Sequence, residues 1–157
     1  MKTVDVSSED VEPPDWLPDL SRVAEFTFQT ISISDFDVSV LICTDARMSE
    51  LNSTYRGIDG PTDVLSFSQN EGDHIPSTGP GGLQGDVVIS LDTIRANAVR
   101  FGVSVAEETV RVAVHGLLHL AGYEHEGATL SETATAEHPM LHLQEQIVGA
   151  LTKEQKK

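Results

Sequence analysis

The sequence predicts an α+β protein: one domain in which a small mixed β-sheet is packed with several helices, one of them carrying a His-x3-His pair. Three observations lead there. The 157 residues fit one domain and are enough to bury a sizeable core. Apolar residues recur at helical spacing in some stretches and cluster as short strand-forming runs in others, in an irregular order that favours α+β. No repeat, low-complexity tract or linker divides the chain, so residues 1–157 are expected to form a single domain, with a core over about 14–151 and a frayed tail over 152–157.

Taken in order, Thr3 to Val6 reads as a short edge strand, followed by an acidic turn punctuated by Pro13 and Pro14. From Pro14 to Thr30 the apolar residues Trp16, Leu17, Leu20, Val23, Ala24 and Phe28 follow helical spacing, with proline tolerated in the first turn. Asp37 to Thr44 contains the strand formers Val38, Val40, Leu41 and Ile42. Thr44 or Asp45 caps a helix running to about Tyr55. Gly57, Gly60 and Pro61 mark a turn before a strand over Thr62 to Phe67, and Ser68 to Gly82 is an aperiodic loop. Leu83 to Ser90 reads as a strand and Leu91 to Phe101 as a helix. Ser104 with Glu107 forms a capping box, so the next helix starts there. A last helix over about Thr129 to Leu151 buries Met140, Leu143, Ile147 and Val148.

Composition narrows the function classes. A hydrophobic content of 39% and a charged content of 22% are ordinary for a soluble globular protein. No stretch approaches the roughly 20 apolar residues of a membrane span. The chain begins with acidic and polar residues rather than a basic and then apolar signal, so a cytoplasmic protein is expected. Cys43 has no second cysteine to pair with and no local partner that suggests a nucleophile; a small apolar role in a strand is expected. The net charge of -15 opposes non-specific binding to nucleic acid. The basic residues are unevenly used, however. All four lysines, Lys2, Lys153, Lys156 and Lys157, lie near the termini, and the interior positives Arg22, Arg47, Arg56, Arg95, Arg100 and Arg111 are all arginine. A planar guanidinium grips phosphate with two parallel bonds, so a few placed in one cleft make a local positive site on an acidic body.

The most specific segment is His115 to His125, which spaces three imidazoles as His-x3-His-x5-His. Residues four apart share a helix face, so His115 and His119 can aim at one point. Gly122 can end that helix at positive φ and bring His125 back from outside it. Three protein ligands leave a fourth tetrahedral position open, as in a catalytic rather than a structural zinc site. Imidazoles among the apolar residues Val110, Val112, Val114, Leu117, Leu118 and Leu120 would otherwise need partners of their own, and a shared cation supplies them. The same nitrogen ligands also accept nickel, cobalt or copper. The spacing matches the metzincin pattern H-E-x-x-H-x-x-G-x-x-H in every position but one: Gly116 stands where those proteases carry the glutamate that acts as general base. That argues against a protease of this type.

A second segment, Leu51-Asn52-x-x-Tyr55-Arg56-x-x-Asp59-x-Pro61-Thr62-Asp63-Val64-Leu65-Ser66-Phe67, is over-specified for packing alone. With Gly85-Asp86-Val87-Val88-Ile89-Ser90 and H-G-x-L-H-L-x-G-Y-[DE]-H following in order, the sequence resembles the YbeY family of endoribonucleases, also described as ribosomal RNA maturation factors. The likeness runs from about Ser49 to His125 and continues weakly through Met140-x-x-Leu143-Gln144-Glu145. It implies a metal-dependent endoribonuclease with one Zn2+ per chain, held by His115, His119 and His125. The resemblance places the catalytic roles on Arg56 and His115. The implied substrate is single-stranded RNA, in maturation of the small-subunit rRNA 3′ end and ribosome quality control. Ribosomal and ribosome-assembly proteins are the implied partners, with no membrane and no DNA expected. The family usually has aspartate before the last histidine; here it is Glu124, one methylene longer.

Zinc is expected to acidify a water and polarise a phosphoryl oxygen, with Arg56 stabilising phosphate charge. An ion pair of Arg56 with Asp59 or Asp63 is the structural alternative. Without a glutamate after His115 the proton acceptor lies elsewhere, and attack by water or by a neighbouring 2′-hydroxyl stays open. Asp86 either orients a ligand imidazole or caps the turn before its strand. Tyr123 is expected to pack at the site, with stacking on a base as the alternative, and Thr62 and Asp63 to tie down a turn. His138 and His142 are also four apart, but they lack a third ligand and Pro139 sits between them; His74 is expected to be solvated. Two other functions use the same residues: a non-catalytic ribosome assembly factor stabilised by zinc, and a zinc peptidase or amidase whose base has moved to Glu124.

Overall fold

A computed structural model of the chain describes residues 2–68, 82–122 and 139–155. Among them are four strands and five helices: β1 (Lys2–Ser8), α1 (Leu20–Thr30), β2 (Phe36–Cys43), α2 (Asp45–Arg56), β3 (Val64–Ser68), β4 (Leu83–Ser90), α3 (Leu91–Phe101), α4 (Val105–Leu120) and α5 (Pro139–Gln155). The strands form one mixed sheet in the order β1-β2-β4-β3, parallel except for the antiparallel pair β3 and β4. This is the α+β arrangement expected from the sequence, with β1 on the predicted edge.

Most boundaries fall close to those read from the pattern. The N-terminus of α1 does not: the helix begins at Leu20, not Pro14. Leu17 precedes Pro18 and is thereby disfavoured from helical backbone, and Asp19 supplies the cap, its carboxylate accepting from the Arg22 amide at 3.2 Å. Trp16 and Leu17 still pack against the core from outside the helix. Half of the predicted capping box forms, with Ser104 Oγ accepting from the Glu107 amide at 3.0 Å, while the Glu107 carboxylate turns to Arg111. The last helix continues through Gln155, beyond the expected end of the core. Its predicted start, over 129–138, lies outside the described residues. None of the described helices is long and apolar enough to cross a membrane.

Strand alternation divides the sheet into two faces. The main core lies on the face of Phe36, Val38, Val40, Ile42, Leu83, Val87 and Ile89, under α1, α3, α4 and α5. On the other face a smaller cluster joins Leu65, Val88 and Cys43 to Met48 of α2. Cys43 is fully buried and burial first of all pushes its thiol up to about 11, so the strand-packing role expected of it holds.

Helix α4 runs through the middle of the core and nearly every residue of it from Glu108 to Leu118 is buried. Its closeness to the sheet depends on two glycines. A Cβ at Gly116 would sit 2.8 Å from Val64 Cγ2 and 2.9 Å from Val87 Cγ1, and one at Gly85 would sit 2.6 Å from the Phe67 carbonyl oxygen. Ser66 Oγ donates to the Gly116 carbonyl at 2.8 Å, fastening the two elements together. Gly116→Ala is therefore expected to destabilise the fold by about 1–2 kcal/mol, because overpacking against two stiff β-branched side chains outweighs the roughly 1 kcal/mol gained in helix propensity. A chemical denaturation midpoint at or above wild type would refute this contact.

Candidate active site

His115 and His119 stand one turn apart on α4 with ring centroids 4.7 Å apart, and α4 ends at Leu120, just before Gly122 at φ +100°. Both rings line a cleft of about 520 Å³ whose other walls are Arg56, Thr62, Asp63, Val64, Leu65, Ser66, Ser68 and Leu120. His115 is largely buried, 6% exposed, and its Nδ1 lies 2.8 Å from Oε1 of the buried Gln144 on α5. The third expected ligand, His125, lies outside the described residues, as do Tyr123, Glu124, His74 and His138. Among the described residues there is no group of three or more His, Cys, Asp or Glu side chains placed to hold a metal ion. Two neighbouring imidazoles at a cleft wall, one of them hydrogen-bonded through its far nitrogen, are nonetheless a donor set suited to a divalent transition metal.

Arg56 reaches the same cleft from the opposite side. It lies in the last turn of α2, whose N-terminus is capped by Thr44, with Thr44 Oγ1 accepting from the Arg47 amide at 3.2 Å. Gly57 closes the helix in the left-handed region at φ +66°, and Asn52 Nδ2 donates to the Gly60 carbonyl at 2.9 Å, folding the following turn back toward β3. Arg56 Nη2 then donates to the Ser66 carbonyl at 2.7 Å, and its guanidinium carbon stands 5.6 Å from the Phe67 ring centroid. Those contacts orient the fork; the alternative ion pair with Asp59 or Asp63 does not form.

One of the two roles open to Asp86 falls away here, and Asp63 gains a second. Asp86 lies on the α2 side of the sheet, beside Leu41, Leu51, Tyr55, Phe67 and Val88, so it does not orient an imidazole on α4. Asp63, read as a turn residue, does anchor the turn, accepting from Thr62 Oγ1 at 3.4 Å while its carbonyl accepts from the Ser90 amide at 3.0 Å. It also lines the cleft, and burial raises its carboxyl above the usual aspartate range.

Beneath His115 a charged cluster links α4 to α5. Arg111 grips Glu145 with two bonds, Nε to Oε2 at 2.9 Å and Nη2 to Oε1 at 3.0 Å, and also meets Glu107 at 3.2 Å and Glu108 at 3.5 Å. Burial would raise Glu145, but hydrogen bonds from Arg111 and Gln144 outweigh it and hold the carboxyl below its usual range. Glu108 is the opposite case: it is fully buried, Oε2 has no hydrogen-bond partner among the described residues, and burial pushes it up to about 7 despite Arg111.

Fold and cleft together define a small α+β protein in which a helix pressed onto the sheet carries two imidazoles into a cleft shared with an arginine. The chain belongs to the endoribonuclease YbeY family, whose model matches residues 3–152. It is 41% identical over 147 residues to Endoribonuclease YbeY of Treponema pallidum, covering 93% of this chain and 88% of that one. Against Endoribonuclease YbeY of Moorella thermoacetica it is 44% identical over 117 residues, 71% of this chain and 75% of the relative. The solution structure of TM1509 from Thermotoga maritima matches with a TM-score of 0.65 and 26% identity, over 98% of this chain and 92% of that one.

Proposed function

We propose that this protein is a zinc-dependent, single-strand-specific endoribonuclease that matures the 3′ end of small-subunit rRNA and takes part in ribosome quality control, in the cytoplasm and with ribosomal and ribosome-assembly proteins. Membership of the endoribonuclease YbeY family gives the reaction class, hydrolytic cleavage within an RNA chain. The observation that carries the reading is that Arg56 of α2 and His115 and His119 of α4, brought together by the sheet between them, line one cleft.

His115, His119 and His125 would hold the zinc ion, which when bound polarises a phosphoryl oxygen and acidifies water. The chain's own residues do the rest. Arg56, oriented by the Ser66 carbonyl and the Phe67 ring, offers its remaining N–H groups to the non-bridging oxygens of the phosphate and stabilises the charge that grows on them. The helix position after His115 has no space for a carboxylate, since even a Cβ on Gly116 would press on Val64 and Val87. A proton acceptor at that position is thereby excluded, which weighs against a metzincin-like peptidase. Single-stranded RNA suits an acidic protein with a local arginine, because affinity rests on few phosphates rather than on a broad basic surface.

The test incubates purified protein with end-labelled single-stranded RNA, duplex RNA, single-stranded DNA and casein, before and after chelation and zinc return. Internal cuts in single-stranded RNA alone, lost with the chelator and restored by zinc, are expected. Ribosome association without RNA turnover would instead mark an assembly factor, and casein cleavage a peptidase. A single 2′-deoxy substitution at the cut nucleotide separates the two routes of attack: an unchanged rate rules out the 2′-hydroxyl.

A further inference from the structure

Hydrogen-bond polarity runs in one direction from the α4–α5 cluster to the cleft. Arginine carries only donors, so Arg111, doubly bonded to Glu145, uses that carboxylate as acceptor. Glu145 Oε2 also lies 3.1 Å from Gln144 Nε2. A carboxylate bound by a guanidinium accepts and does not donate, so the Gln144 amide must turn its NH2 toward Glu145 and its carbonyl toward α4. That carbonyl oxygen, Oε1, is 2.8 Å from His115 Nδ1. It cannot donate, so Nδ1 must carry the hydrogen. In the neutral ring the lone pair is then on Nε2, at the edge away from α5, and His115 lines the cleft.

We infer that Gln144 is a positioning residue: it sets the tautomer and ring orientation of His115 so that Nε2 is the nitrogen offered to the cleft, and the fork between Arg111 and Glu145 fixes which way Gln144 points. The chain Arg111, Glu145, Gln144, His115 does for this imidazole what a carboxylate or backbone carbonyl does behind other metal-binding histidines. Burial fits the role. Gln144 is 1% exposed, and a buried amide is kept only where each of its polar ends is satisfied, as both are here. The amide also lies on a different element from the ligands, so α5 is tied to the site by a directional bond as well as by apolar packing. This inference rests on the reading of the cleft as a zinc site, but its first consequence holds in the metal-free protein.

The test is nitrogen NMR of 15N-histidine-labelled, metal-free protein at mildly alkaline pH, with the His115 signals identified by their absence in His115→Gln. Nδ1 is expected at the protonated, pyrrole-type shift and Nε2 at the pyridine-type shift. In Gln144→Leu, which removes the acceptor but keeps an apolar-compatible volume, the two forms should mix or exchange. Zinc affinity, read by competition with a chromogenic chelator, should fall about 10- to 100-fold. Gln144→Glu keeps an acceptor for Nδ1 but sets a carboxyl against Glu145 in place of the donating amide, so it should return the Nδ1–H signature and raise zinc affinity above that of Gln144→Leu. A wild-type His115 protonated on Nε2, or a Gln144→Leu protein with unchanged shifts and unchanged zinc affinity, overturns the inference. If the tautomer responds as expected but zinc does not bind at all, the relay stands and the metal reading falls.

Discussion

His119→Ala is expected to remove zinc binding and RNA cleavage together while leaving the fold in place. The side chain stands at the cleft wall one turn from His115, and unlike its neighbours on α4 it is only partly buried, so truncation opens little of the core. Losing one of the three proposed ligands costs more than disturbing the shell behind a ligand, which alone weakens metal binding by about 10- to 100-fold. Metal-assisted charge stabilisation contributes several kcal/mol to a hydrolytic transition state, so cleavage should fall by about a thousandfold or more. Three measurements decide it: zinc stoichiometry, the single-turnover rate on single-stranded RNA, and the thermal midpoint. Cleavage at the wild-type rate would remove His119, and with it the proposed zinc centre, from the mechanism.

Arg56→Lys should produce the second largest loss, and a differently shaped one. Lysine keeps the positive charge but not the planar fork, and it has no second pair of donors to hold the Ser66 carbonyl while binding a phosphate. Removing one donor aimed at developing charge costs about 100- to 1000-fold in kcat. Zinc affinity should be unchanged, because Arg56 approaches from α2 while the imidazoles belong to α4. Stability should also move little, within about 0.5 kcal/mol, since the side chain is exposed and its main partner is one carbonyl. The diagnostic pattern is therefore a fall in kcat with metal content and melting intact. An unchanged rate would reduce Arg56 to a residue that steadies the turn after α2.

How these residues come to share a cleft was only partly written in local sequence. β4 and α3 occupy the spans that apolar runs and helical spacing predict, because their signals are local: strand-forming residues in one case, i to i+4 recurrence in the other. The start of α1 was obscured by three prolines in six residues, of which Pro18 rather than Pro14 sets the boundary. The imidazole pair was legible for the same local reason, since a spacing of four on a helix is a statement about one turn. Gly116 was legible as a missing glutamate, but the cause was not: it depends on how closely α4 lies on Val64 and Val87, from strands far away in sequence. Gln144 stood within a weak motif with no assigned role, 29 residues from the ring it meets.

By itself the sequence determined the α+β class, the order and approximate extent of the elements, and the pairing of His115 with His119 on one helical face. These follow from periodicity and backbone preference, which act over a few residues. Only the tertiary structure decided that Arg56 opens onto those rings, that Asp86 faces the opposite side of the sheet, and that Gln144 stands behind His115. Each of these depends on which face of a strand or helix meets another element and at what separation. Such meetings are settled by the packing of distant segments, here the close seat of α4 on β3 and β4 that two glycines allow.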